Sequence, residues 1–175
     1  MNSNLPVLRC DWRRWLVICA VIWGAAIQVN AAEVSGVYAD GGTLLESASH
    51  QTVEVPSLYA WLRLEFDPKV ANVLRDQVGH VVLKHAGSLI DVEVYDSDGA
   101  MSWSKQWQEG EDFVQQDGRV ILCARGVRFG NDEIILVLER LPDNELLQVT
   151  VQRVSPTMLG PAARKVGSAL FHQMP

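Results

Sequence analysis

Cysteine is scarce in this 175-residue chain, and two of its three copies, Cys10 and Cys19, fall in the first twenty residues. No Gly-x-Ser-x-Gly elbow occurs, which removes the usual signature of a serine hydrolase. Neither Gly-x-x-x-x-Gly-Lys nor Gly-x-Gly-x-x-Gly is present, so no phosphate cradle or dinucleotide site is expected, and no cofactor. No long amphipathic helical period runs anywhere in the chain, which excludes a helical bundle. The histidines number four and are scattered. His80 and His85 are five apart, and on a strand that spacing sends them to opposite faces. His50 and His172 are isolated. Zinc sites gather three or four convergent ligands, so no metal is expected.

The start of the chain has its own composition. Arg9, Arg13 and Arg14 stand against one acid, Asp11, and an apolar run over 16–29 follows. Val29-Asn30-Ala31 then supplies small or aliphatic residues at the −3 and −1 positions of a cleavage site. Basic, apolar and small regions in that order make a signal peptide, residues 1–31, cut after Ala31. A spanning helix needs roughly 20 apolar residues, and this run has 14. An uncleaved leader anchoring the chain in the inner membrane through 16–29 is the alternative. Neither Cys10 nor Cys19 sits in a lipoprotein pattern. Residues 32–175 read as one exported domain, periplasmic or secreted.

Removal of the leader leaves 12 basic and 20 acidic side chains. Such an acidic domain repels phosphate backbones, so no nucleic-acid partner is expected. Only Cys123 remains, which excludes an intramolecular disulfide. Within Val120-Ile-Leu-Cys-Ala it reads as a small buried hydrophobe. About 144 residues are enough for a core that holds without staples.

Strand signals then dominate. Gly36-Val-Tyr-Ala, Asp40-Gly41-Gly42 and Thr43-Leu-Leu-Glu read as a hairpin. Alternation over 62–66 predicts a strand, although Pro56-Ser57 is able to open a helix with Leu58, Trp61 and Leu62 on one face. Asp67-Pro68 has the form of an N-cap followed by proline at the first helical position. With Val70, Val73 and Leu74 it predicts a short helix over 68–76. Residues 80–85 and 89–95 form a hairpin across Ala86-Gly87-Ser88, with Ile90, Val92 and Val94 inward. Further strands follow at 101–107, 113–114, 119–124, 126–129, 133–139 and 147–152, divided by turns such as Asp96-Ser-Asp98-Gly99, Asp117-Gly118 and Pro142-Asp143-Asn144. Ile134 to Leu138 are apolar on both faces, which marks a central strand. The tail after Pro156 is open between helix and strand. The expected fold is all-β and mainly antiparallel: a β-barrel or sandwich meander of about eight strands. This plan is similar to that of small envelope proteins with lipocalin-like or sandwich domains, a likeness of architecture alone.

Candidate sites are few. Asp91 and Glu93 share a strand face, as a carboxylate pair for glycoside hydrolysis needs, and same-face surface acids do this routinely. Asp96, Asp98 and Gly99 match a fragment of a calcium loop, without its closing glutamate. Trp103 and Trp107 lie four apart, hence on one strand face, and with Trp61 they form the candidate ligand-binding set. An exposed aromatic face stacks on sugars or grips an apolar ligand; an inward one is core. The expected function is that of a non-enzymatic envelope protein binding a protein partner or small apolar ligand, or serving a structural role. The alternative is a hydrolase of envelope glycan or lipid.

Overall fold

The computed structural model describes residues 33–47, 55–64, 68–129, 132–141, 145–158 and 160–175. The expected signal helix over 1–31 and its expected cleavage site lie outside the described residues, as do Asp67 and the turn expected at 142–144. Ten strands and two helices follow in order: β1 Gly36–Ala39, β2 Thr43–Ser47, α1 Leu58–Leu62, α2 Pro68–Arg75, β3 His80–Ala86, β4 Leu89–Tyr95, β5 Met101–Gln108, β6 Phe113–Gln116, β7 Arg119–Phe129, β8 Asp132–Leu141, β9 Leu146–Thr157 and β10 Gly160–His172.

The strands form two antiparallel sheets. One has the order β1-β3-β4-β5, the other β2-β10-β9-β8-β7-β6. Each is a meander with one strand added from the start of the chain. Isolated bridges link the sheets at the margins, Tyr38 with Gln173 and Glu109 with Phe113, but among the described residues no continuous ladder closes them into a barrel. The inner faces carry the alternation that the sequence shows. Val81 and Leu83, Ile90, Val92 and Val94, Leu136 and Leu138, and Leu147 and Val149 are all buried in one cluster. Tyr38 joins them, and its hydroxyl donates to the Val34 carbonyl at 3.1 Å, so its polar tip is satisfied. β8 lies inside its sheet, between β7 and β9, as its two apolar faces require.

Turn chemistry explains several hairpins. Asp117 and Gly118 both have positive φ, 51° and 75°, the pattern of a two-residue type I′ turn joining β6 to β7. Gly87 opens the β3–β4 loop with φ 59°.

Four expectations change. The hairpin over 36–46 does not form: β1 pairs with β3 and β2 with β10, so Asp40-Gly41-Gly42 is a crossing from one sheet to the other. Its backbone partners are distant. Gly42 N–H donates to Pro56 O, and Leu58 N–H to Asp40 O, each at 2.9 Å. Glycine is needed at 42, because a Cβ there meets the Phe171 ring at 2.5 Å and the Leu170 carbonyl at 2.8 Å. Of the strand expected over 62–66, residues 65 and 66 lie outside the described residues, and Leu62 belongs instead to the end of α1. Ser57 caps it, its hydroxyl accepting from Ala60 N–H at 3.1 Å, and Leu64 follows with φ 62°, a left-handed residue that ends the helix. The tail is a long strand, β10, in spite of its glycine, proline and alanines, because β9 offers a partner along almost its whole length. The described residues hold ten strands, against about eight expected. The helix expected over 68–76 is present as α2.

Candidate functional site

Two of the three candidate tryptophans, Trp61 and Trp103, meet at α1. All five residues of this helix are buried, and an apolar helix of one and a half turns has no solvent face to spare. It lies between the sheets. Tyr59 reaches the four-stranded sheet, its ring 5.5 Å from Trp103 on β5. Trp61 reaches the six-stranded sheet and meets Phe171 of β10 edge-on at 6.0 Å. Both geometries are favourable for aromatic pairs. Arg63, one turn on, sits over the Tyr59 ring at 5.4 Å and donates to its hydroxyl at 2.9 Å.

β5 holds the other two candidates. Its register sets Trp107 opposite Ile90, Lys105 opposite Val92 and Trp103 opposite Val94. Trp103 and Trp107 therefore share the inner face. Trp107 is 4% exposed and Trp61 9%, and both belong to the core. Trp103 is half-buried and packs against the edge of that core. Lys105 stands exposed between them. A charge at an inward position marks the strand as an edge and resists pairing with stray strands.

Asp40, which sequence reasoning read only as a turn residue, is the most unusual acid. It is 2% exposed. Oδ1 accepts from Tyr59 N–H at 2.7 Å, so the carboxylate and the Ser57 hydroxyl together cap successive N–H groups of α1. Oδ2 is buried without a hydrogen bond. Burial pushes the Asp40 pKa above the ordinary carboxylate value, against the opposing pull of the Tyr59 N–H, the Ser57 hydroxyl and the charge of Arg75. No local signal pointed here, since the partner is 19 residues away.

The outer face of the four-stranded sheet is polar and wet. Lys84 Nζ donates to Glu93 Oε1 at 2.6 Å, and the Tyr95 hydroxyl to Glu93 Oε2 at 2.8 Å. These two bonds, the lysine first, hold the Glu93 carboxyl below its usual range. Gln106 donates to Asp91 Oδ1 at 2.7 Å. A general acid for glycoside hydrolysis needs a raised pKa, and Glu93 moves the other way. Asp96 Oδ1 accepts from the N–H groups of Asp98 and Ala100, so this acidic loop serves its own turn. His80 stacks on Tyr95 with centroids 4.9 Å apart, and the His85 ring stands edge-on to Phe113. Among the described residues no three histidine, cysteine or acidic side chains could hold a metal ion, and no helix is long and apolar enough to cross a membrane. The side chain of Cys123 is outside the described set.

No family model, curated protein or solved structure matches this chain.

Proposed function

We propose that the chain is an exported, non-catalytic envelope domain that works by binding a protein partner at the β5 margin around Trp103. The observation that carries this reading is the division of the three tryptophans. Trp61 and Trp107 are spent on the core, whereas Trp103 is half-buried on an edge strand. α1 sets its rings against both sheets, Tyr59 against Trp103 and Trp61 against Phe171, and the recognition surface proposed here is the outer margin of β5. Aromatic rings anchored on one side and open on the other are common hot spots of protein interfaces. Tyr59 holds the Trp103 ring from behind, which lowers the entropy lost on binding. Export rests on the basic, apolar and small-residue order of residues 1–31.

The test is a photo-crosslinking residue in place of Trp103, with a second one in place of Asp117 at the exposed β6–β7 turn for comparison. Both are expressed in the source cell. A discrete protein adduct from position 103 and none from 117 is the expected result. Absence of an adduct at 103, with the fold preserved by circular dichroism, overturns the reading. Intact mass of the recovered protein, expected to start at Ala32, tests export separately.

A further inference from the structure

β5 is the last strand of the four-stranded sheet, so among the described residues one side of its backbone has no strand beside it. The ladder shows which residues face that side. Glu109 N–H donates to Ser88 O at 2.8 Å, one step beyond the pair Leu89 and Gln108. Bonded and unbonded pairs alternate along an antiparallel ladder. Trp107, Lys105 and Trp103 therefore turn their backbone groups to β4, and Ser104, Gln106 and Gln108 turn theirs outward. Gln108 is already capped. Its N–H donates to Asp112 Oδ2 at 3.0 Å, and its carbonyl accepts from the Asp112 N–H at 2.8 Å and the Glu111 N–H at 3.1 Å. Among the described residues the outward N–H and C=O groups of Ser104 and Gln106 have no partner, and both residues are exposed. They offer a short, regular row of donors and acceptors to one further strand.

The side chains on this edge select what is added. Trp103, Lys105 and Trp107 follow one another on the inner face. Trp107 is buried, Trp103 is half-buried with the Tyr59 ring behind it, and Lys105 is exposed. Lys105 makes no ion pair among the described residues. An added strand sets one of its own side chains directly beside each of these. A second copy of β5 fits badly. A two-fold axis that uses all the free backbone groups pairs Ser104 with Gln106, and so sets Lys105 against Lys105. Like charges directly opposite each other destabilise a ladder. A strand with an acid at that position gains an ion pair there instead.

Given recognition at the β5 margin, as proposed above, we infer that β5 accepts an extended segment of a partner protein as an added strand, with an apolar side chain on Trp103 and a carboxylate at Lys105. The backbone groups of Ser104 and Gln106 supply the bonds, and the inner-face side chains supply the selection, the division of labour usual in strand addition. The outer face makes little demand, since the Gln106 side chain is already tied to Asp91. Lys105 thus has two effects. It disfavours strands that bring an apolar or basic residue to its side, and it favours one that brings an acid. Side chains of a strand alternate between faces, so the segment that fits has an apolar residue and an acid separated by one other residue.

The photo-crosslinked adduct from position 103 tests this when its yield is compared across variants of the full chain. Ser104→Ala keeps the backbone donor and should leave the yield unchanged. Ser104→Pro removes one outward N–H, a change that an edge strand tolerates. It should lower the yield about tenfold, because a bond is lost and a partner carbonyl is left bare. Lys105→Glu should lower it at least as far, since it sets two acids side by side. Mass spectrometry of the adduct should find the partner's acid at the next position on the same strand face. Exchange of that acid for lysine should restore the adduct with Lys105→Glu. Ser104 and Lys105 are exposed, so the variants should melt as the wild type does; where Ser104→Pro unfolds, Lys105→Glu and its rescue decide. Absence of an adduct from the unaltered edge overturns recognition at β5 itself. An adduct that survives either variant in folded protein leaves recognition at β5 standing and overturns strand addition. An adduct with a second copy of this chain overturns the choice of partner.

Discussion

Two groups of acids in this protein are built with similar bonds and reach opposite electrostatic ends. At the sheet crossing, Asp40 accepts an N–H at 2.7 Å. On the outer sheet face, Glu93 accepts a lysine ammonium at 2.6 Å. Asp40 is 2% exposed and its pKa rises. Glu93 keeps 21% of its side chain in solvent and its pKa falls. What differs is the surroundings. Leaving water penalises the charged form of Asp40 more than its bonds favour it, while Glu93 keeps its hydration and adds a cation. A carboxylate in this fold is thus structural where it holds α1 between the sheets, and a surface feature where it decorates the four-stranded sheet.

The strongest way to break the buried side of that comparison is to empty the space that α1 fills. Trp61→Ala removes the ring that meets Phe171. It should cost about 3–5 kcal/mol, the range for a large aromatic lost from a packed core. Equilibrium unfolding in urea measures it. A loss below about 1 kcal/mol would mean that the helix is an ornament on the core and not its filling.

Asp40 gives the next largest effect, and its sign distinguishes the two groups. A folded-state pKa above the unfolded value near 3.8 means that the folded protein holds the proton more tightly. The contribution to stability is therefore complete below the unfolded pKa and is lost as pH rises through the folded one. Asp40→Asn keeps an acceptor for the Tyr59 N–H and removes the charge. It should be at least as stable as the wild type at neutral pH, and should lose the gain that the wild type shows on acidification through that window. Asp40→Ala also removes the cap and should cost about 1 kcal/mol. Melting curves of the three proteins across that pH range provide the check. An Asn variant that is much less stable than the wild type at neutral pH would show that the ionised form is the one the fold needs.

The sequence made the outer hairpins legible because their information is local. In β3 and β4 the alternation of apolar residues and the Gly87-Ser88 loop are enough to set the register. At Asp117-Gly118 two residues that tolerate positive φ fix the turn. The crossing at 40–42 carries the same turn signal, but its partners are Pro56 and Leu58, and no local pattern contains them. α1 was hidden for another reason. A helix buried on every side has no amphipathic period to read, and over 62–66 the chance alternation of Leu62, Leu64 and Phe66 outweighed the correct cue at Pro56-Ser57. The candidate site divides in the same way. That Trp103 and Trp107 share a face follows from spacing alone. Which of them is spent on the core depends on Tyr59 and on the edge position of β5, and both are tertiary facts.

The smallest effect is expected on the exposed side, and it sharpens the comparison most. Glu93→Gln removes the charge but keeps an oxygen for the Lys84 ammonium and the Tyr95 hydroxyl. Both of those donors remain open to water, so either can be rehydrated when the carboxylate is gone, and an exposed ion pair offers little beyond what water already gives. The melting midpoint at neutral pH should stay within replicate error of the wild type. The pH dependence should differ only faintly, and in the opposite sense to that of Asp40. A carboxylate whose folded pKa lies below its ordinary 4.5 contributes above that value and loses the contribution as pH falls through the folded pKa. Glu93→Gln should thus soften acid destabilisation slightly, where Asp40→Asn removes an acid stabilisation. A large loss at neutral pH would mean that the Lys84–Glu93–Tyr95 cluster is desolvated in the working protein, as it would be under a bound partner, and the outer face would then rival the β5 margin as the surface of recognition.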